Sequence, residues 1–256
     1  MSPIAFTLGP LTVRWYGILI VTGIVVAILM CRYLAAKKNL SFDDLIDYAL
    51  VMVPLGIVCA RTYYVLFRWS YYAENPGEII AVWHGGLAVH GSILGGMLGL
   101  WLVARHKGQS FRQWGDIIVP GLILAQAIGR WGNFFNQEAY GYETDLPWAM
   151  FIDGAYRHPT FLYESIWDFL GCLLLLALWR WWKTRETGDV AACYLIYYSV
   201  GRFVIESFRT DSLMLGPLRM AQVIGIVGVL AGLLLFWVNR AYPWHEFTLA
   251  PRRKRR

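Results

Sequence analysis

The chain is 256 residues long, 57% hydrophobic and 16% aromatic, with only 16% of its residues charged. A soluble domain of this length needs far fewer apolar residues, so the composition argues against a water-soluble fold and for a membrane-embedded one. The net charge of +6 reads as a topology signal rather than as a nucleic-acid-binding surface.

Spanning the hydrocarbon layer takes roughly 20 mostly apolar residues per helix. In chain order the apolar stretches fall near residues 16–34, 45–67, 87–104, 115–129, 161–182, 190–207 and 219–238, the fourth being the shortest. The expected fold class is therefore an all-α integral membrane protein with about seven transmembrane helices, organised as a single integral membrane domain over residues 1–256. No basic region precedes the first stretch and no small-residue cleavage pattern follows it, so it reads as a retained helix rather than a signal peptide. If that helix begins outside, the cytoplasmic loops hold Arg32, Lys37 and Lys38, then Arg105, Lys107 and Arg112, then Arg180, Lys183 and Arg185, and finally Arg240 and the tail. Fifteen of the 23 Lys and Arg residues, all five Lys among them, then lie inside. The positive-inside rule thus sets the N-terminus outside and the C-terminus in the cytoplasm, which requires an odd number of spans. The run PRRKRR at 251–256 is expected to form a basic cytoplasmic tail that rests on anionic headgroups rather than on nucleic acid. Cys31, Cys59, Cys172 and Cys193 form no CxxC pair and have no His at ligand spacing, so neither a disulfide framework nor a metal site is expected.

An ionisable residue inside or at the edge of a span is costly and by default faces the bundle interior or a polar cavity. Tyr16 opens the first stretch and His90 the third, beside Gly91, Gly95 and Gly99, whose four-residue spacing predicts close helix packing. A lone histidine there is ordinarily a hydrogen-bonded interior residue. Its expected depth beside the charged groups, and the general capacity of an imidazole to exchange a proton near neutral pH, make it a candidate proton acceptor. Arg130 closes the fourth stretch and stands in the densest polar segment, Gly129–Gly141, GRWGNFFNQEAYG. There Arg130, Asn133, Asn136 and Glu138 are interleaved with Trp131, Phe134, Phe135 and Tyr140. Read as a segment that follows the helix, its glycines allow close approach and its aromatics anchor it at headgroup depth. An interfacial hairpin alone does not account for Arg, Asn and Glu together, which marks the segment as a candidate site. Glu164 and Asp168 lie one turn apart near the start of the fifth stretch. Glu164 is expected to orient an arginine or cap the helix, and Asp168 has no assigned role. Arg202, Glu206 and Arg209, spaced i, i+4 and i+7, share one helix face. An internal ion pair explains two of them. The third leaves one positive charge over, and because a guanidinium fork suits phosphate or carboxylate, an anion site is the second reading.

Together these segments resemble the prolipoprotein diacylglyceryl transferases, bacterial inner-membrane enzymes that begin lipoprotein maturation. The resemblance rests on GRWGNFFNQEAYG and continues through RWYG at Arg14–Gly17, GGLAVHG at Gly85–Gly91, HPTFLYE at His158–Glu164 and GRFVIESFR at Gly201–Arg209. Ser92 stands where the pattern has a second glycine after His90. The resemblance implies transfer of the diacylglyceryl group of phosphatidylglycerol to the lipobox cysteine thiol of a preprolipoprotein signal peptide. A thioether forms and glycerol 1-phosphate is released. It implies a multi-pass protein among the lipids of the cell inner membrane, with its site toward the periplasm and no cofactor. By the same resemblance Arg130 and Arg202 are the two essential arginines, His90 is the candidate base, and Tyr16, Asn133, Glu138 and Gly141 are further site residues. Glu206 and Arg209 match the rest of the pattern and are expected to bind substrate.

Elementary chemistry supports that assignment. Displacing a phosphate ester oxygen from carbon places growing negative charge on the leaving phosphate, which aimed arginines stabilise more in the transition state than in the ground state. The acceptor thiol has a reference pKa of about 8.5, so little of it is thiolate at neutral pH and a base helps. His90 and Glu138 both qualify. A carboxylate beside Arg130 is the poorer base, which favours an orienting role for Glu138. Both substrates are membrane-embedded, so openings between helices toward the bilayer are expected. The competing class is an anion carrier or channel, which also places Arg inside a bundle. Paired interrupted helices in corresponding halves, which would support it, are not found in the sequence.

Overall fold

The computed structural model describes residues 2–9, 11–210 and 214–242, and the basic run at 251–256 lies outside the described residues. A hairpin of β1 (Ile4–Leu8) and β2 (Leu11–Arg14) leads into α1 (Trp15–Lys37), followed by α2 (Phe42–Phe67) and the short α3 (Trp69–Glu74). Two 3-10 turns, Pro76–Ile80 and Val82–His84, precede α4 (Val89–Lys107) and α5 (Phe111–Asn136). The chain continues through β3 (Met150–Ile152), β4 (Ala155–Arg157), α6 (Thr160–Trp181), α7 (Asp189–Glu206), β5 (Met214–Leu215), β6 (Leu218–Arg219) and α8 (Met220–Ala241). The seven long helices overlap the seven apolar stretches. Four of them, α1, α2, α6 and α8, are long and apolar enough to cross a membrane by length and composition. The expected all-α class needs one amendment, because among the described residues three two-stranded antiparallel hairpins accompany the helices. They pair backbone groups that open loops would leave to solvent.

A second departure concerns the fourth stretch. α5 is 26 residues long, so Gly129–Asn136 continues the helix rather than following it. Its polar side chains imitate a loop in the sequence, yet a helix closes its own backbone hydrogen bonds and tolerates polar groups that find partners on neighbouring helices.

The described residues form two compact units, one of residues up to 34 together with those from 115 to 242, the other of residues 35–114. In the second unit, α2 begins after Ser41, whose hydroxyl accepts the Asp44 amide at 3.0 Å. α2 packs on α4 through the glycine stripe. A Cβ on Gly91, Gly95 or Gly99 would run into the backbone at Cys59, Leu55 or Met52. Near the start of α2, Tyr48 and Trp114 lie with ring centroids 4.3 Å apart. Both donate to Gln109 Oε1, at 3.1 and 2.7 Å. Gln109 Nε2 donates in turn to Asp44 at 2.8 Å, and Lys107 pairs with Asp44 and Asp47.

In the first unit, glycines again set the helix contacts, Gly121 against Ala27 and Cys31, Gly171 against Tyr197, Gly201 against Trp167 and Gly232 against Ile196. Lipid gives apolar helices little reason to prefer one another, so close backbone approach carries the association. Val119, Ile123, Cys172, Leu175, Val190 and Tyr194 form the buried centre between α5, α6 and α7. Asp116 accepts the amides of Gly188 and Ala191 at 2.8 and 2.9 Å, satisfying N–H groups that the start of α7 leaves open. Asp189 accepts Asn239 and both terminal nitrogens of Arg240 at 3.1 Å. One end of α7 is thereby locked to α5 and α8. The other end carries Arg202.

Candidate active site

The site is built on the first unit, around one carboxylate. Thr160 opens α6, its hydroxyl bonded to the Ala139 carbonyl, and this contact ties the end of the Gly129–Gly141 segment to the helix that carries Glu164. Glu164 is buried one turn further on. Its Oε2 lies 2.6 Å from Arg130 Nε on α5, and its Oε1 pairs with Arg202 on α7. Arg202 also contacts Glu206 at 2.7 Å, one turn along α7. Arg209, just past the end of that helix, lies 3.9 Å from Glu206 and 4.0 Å from Glu164. The five side chains therefore form a row of alternating charge, three guanidiniums to two carboxylates, and carry one net positive charge. The sequence suggested that Glu164 orients an arginine or caps a helix, and it contacts three arginines.

The carboxylates and guanidiniums differ in exposure. The side chains of Glu164 and Glu206 are 6% and 4% exposed, against 21% for Arg130, 20% for Arg202 and 13% for Arg209. The acids are the more deeply buried members of the row, and the arginines are partly exposed. Burying such charges is tolerable only because they are paired.

Several other expected residues are brought to the same unit. Tyr16, in the first turn of α1, lies flat on Gly132, where a Cβ would collide with its ring. It interacts electrostatically with Glu138 and Arg130. Asn133 lies in the last turn of α5 and its carbonyl accepts the Glu138 amide at 3.0 Å. Gln137 and Ala139 have positive φ angles, 54° and 55°, so the chain reverses around Glu138. Asn136 then donates to Glu138 at 3.0 Å. Gly141 bridges to Arg209. A Cβ there would lie 2.6 Å from His158 Cβ and 2.8 Å from the Phe208 carbonyl oxygen. Its lack of a side chain lets two segments meet and sets the place of Arg209.

His90 belongs to the second unit, as the second residue of α4, with its ring centroid 5.9 Å from that of Tyr63. Tyr198 and Arg219 were not singled out from sequence. The Tyr198 hydroxyl accepts from Arg130 Nη2 at 3.3 Å. Arg219 donates to the Glu206 carbonyl and, at 2.7 Å, to the Tyr142 hydroxyl. Tyr198, Arg202 and Glu206 recur every fourth residue, which places them on one helix face but does not disclose the contact of Tyr198 with Arg130. Asp168, one turn beyond Glu164, is buried against a small cavity lined with Trp167, Tyr198, Gly201, Arg202 and Ile205.

Paired, pre-placed guanidiniums with one positive charge in excess are suited to an oxyanion whose charge grows during a reaction. The family model for prolipoprotein diacylglyceryl transferase matches residues 3–238. A phosphatidylglycerol–prolipoprotein diacylglyceryl transferase of Acaryochloris marina is 46% identical over 94% of this chain and 93% of its own. Proteins of that same name from Clostridioides difficile and Streptococcus mutans are 48% and 46% identical, over 91% and 96% of this chain and 94% and 99% of theirs. The chain belongs to the prolipoprotein diacylglyceryl transferase family.

Proposed function

We propose that Arg130, Arg202 and Arg209, held by Glu164 and Glu206, grip the phosphate of phosphatidylglycerol while its diacylglyceryl group moves to the lipobox cysteine of a prolipoprotein. The row of three partly exposed arginines paired to two buried carboxylates, with one positive charge in excess, carries this reading. In the step itself the carbon–oxygen bond to phosphate breaks and a sulfur–carbon bond forms. The thiol proton passes to a base and glycerol 1-phosphate leaves. The phosphodiester carries one negative charge from the start and a second develops as the bond breaks, so preorganised arginines stabilise the transition state more than the bound substrate. His90 is the proposed base and Glu138 its rival, with Tyr16, Asn133 and Gly141 shaping the site. The seven long helices are read as spans with the N-terminus outside, supported by the placement of Lys and Arg, and the site is read as periplasmic in the cell inner membrane.

The test is transfer by purified full-length protein from phosphatidylglycerol to a lipobox peptide, followed by peptide mass and released glycerol phosphate. A diacylglyceryl mass gain that disappears when the peptide cysteine becomes serine is expected. Folded protein that transfers nothing from any anionic donor lipid would sink the proposal.

A further inference from the structure

Arg61 lies toward the end of α2 and is 6% exposed. A guanidinium offers five N–H donors in a rigid fork and accepts nothing. Here it meets five backbone carbonyls. Nε donates to Ile79 at 2.9 Å, Nη1 to Gly85 and Gly86 at 2.6 and 2.9 Å, and Nη2 to Glu78 and to Ala81 at 3.3 Å. The guanidinium also sits 5.1 Å from the centroid of the Tyr72 ring. The acceptors are Glu78 and Ile79 of the first 3-10 turn, Ala81 between the two turns, and the diglycine that follows the second, a stretch too short to satisfy its own carbonyls by helical bonding.

Gly85 and Gly86 have φ angles of 90° and 75°, which L side chains rarely adopt. A Cβ on Gly86 would strike Arg61 Nη1 and stand 2.8 Å from the Tyr64 ring. Reversal and guanidinium are thus fitted to each other. Two residues on, the Ala88 amide donates to the carbonyl of Ala60, Arg61's neighbour, at 3.1 Å. α4 starts at the next residue and His90 follows.

We propose that Arg61 is a positioning residue for the transfer reaction: its guanidinium fixes the Glu78–Gly86 segment and so sets the start of α4 and the orientation of His90. The inference rests on the reading of His90 as the base. With each donor engaged by backbone, Arg61 has none to offer a lipid phosphate, which separates it in kind from Arg130 and Arg202.

Arg61→Lys keeps the charge, but one nitrogen cannot reach carbonyls spread from Glu78 to Gly86. In the full-length protein, amide exchange in residues 78–90 is expected to quicken about tenfold or more. kcat should fall about 10- to 100-fold while KM for phosphatidylglycerol changes less than about threefold. In a His90→Asn background the same change should cost less than about twofold more, because both lesions act through one group. Gly86→Ala, which presses on the guanidinium with Arg61 in place, should repeat this pattern if the lysine variant fails to fold. Unchanged exchange, undiminished kcat, a loss confined to KM, or losses that multiply with His90→Asn would each overturn the inference. Wild-type turnover by His90→Asn alone would sink the reading of His90 before any Arg61 variant is made, and the inference with it. The other failures leave that reading standing.

Discussion

Glu164 divides its carboxylate between two helices, giving Oε2 to Arg130 on α5 at 2.6 Å and Oε1 to Arg202 on α7. Two like charges that would repel are thereby held side by side, and Arg202 is steadied again by Glu206 at 2.7 Å. On the proposed reading an arriving phosphate finds these guanidiniums already placed, so little of its binding energy goes into ordering them.

Replacing Glu164 by Gln should therefore damage chemistry more than folding. Gln keeps the shape and can still accept one hydrogen bond, but it cannot neutralise two arginines. Losing one side of a buried pair costs about 3–5 kcal/mol where nothing relaxes, and the partial exposure of both arginines reduces that cost in the fold. Transfer activity should drop at least about 100-fold while the protein still purifies as a folded species. Full specific activity with a lowered Tm would show Glu164 to be structural only.

Arg130→Lys and Arg202→Lys test the fork itself. A lysine places one charge where the arginine now spans Glu164 and Tyr198, or Glu164 and Glu206. Such exchanges are not conservative at multidentate sites. Each variant should lose about 100-fold or more in kcat/KM, measured with phosphatidylglycerol and a lipobox peptide. Tyr198→Phe removes only a 3.3 Å hydrogen bond and should cost about 1 kcal/mol, roughly fivefold. A Tyr198 effect as large as that of the arginines would mean that the hydroxyl has a role beyond holding Arg130.

Much of this site could be read from the sequence because its members fall at helical spacing or within one dense segment. Arg202 and Glu206 were grouped by their four-residue interval, and Arg130 by its position in GRWGNFFNQEAYG. The extent of α5 was not legible, since Asn133 and Asn136 beside glycines look like a loop, although the helix runs on to Asn136 and Asn136 bonds to Glu138 just past its end. Tyr198 and Arg61 were missed for a related reason. A single tyrosine or arginine in an apolar helix carries no local signal of what it will meet, and both partners come from distant segments, Arg130 on α5 for one and the Glu78–Gly86 turns for the other. The hairpins were missed because strands of two to five residues show almost no period.

Glycines separate contact from coincidence. Gly141→Ala brings a methyl group to 2.8 Å from the Phe208 carbonyl oxygen and close to His158, and backbone cannot give way as a side chain can. The shift should cost about 1–3 kcal/mol and displace Arg209 through its bridge with Gly141, so activity should fall with Tm. Gly17, in the first turn of α1, faces open space. Gly17→Ala should be neutral or stabilising by up to about 1 kcal/mol, with transfer unchanged. Equal damage from both substitutions would show that the spacing of these backbones does not set the site.

Asp189 offers the converse test, stability without chemistry. It is fully buried and accepts Asn239 and both terminal nitrogens of Arg240 at 3.1 Å. It lies thirteen positions before Arg202 on α7, roughly 20 Å at the helical rise. Asp189→Asn should destabilise the protein by about 1–3 kcal/mol, below the cost of a fully buried pair because Arg240 is half exposed. Its kcat per folded molecule should match wild type, since the row from Arg130 to Arg209 keeps all of its partners. Thermal melting in detergent and transfer kinetics on the same preparation separate the two effects. A fall in kcat with an unchanged Tm would mean that this end of α7 reaches the site along the helix, and Glu164 would then not suffice to fix Arg202.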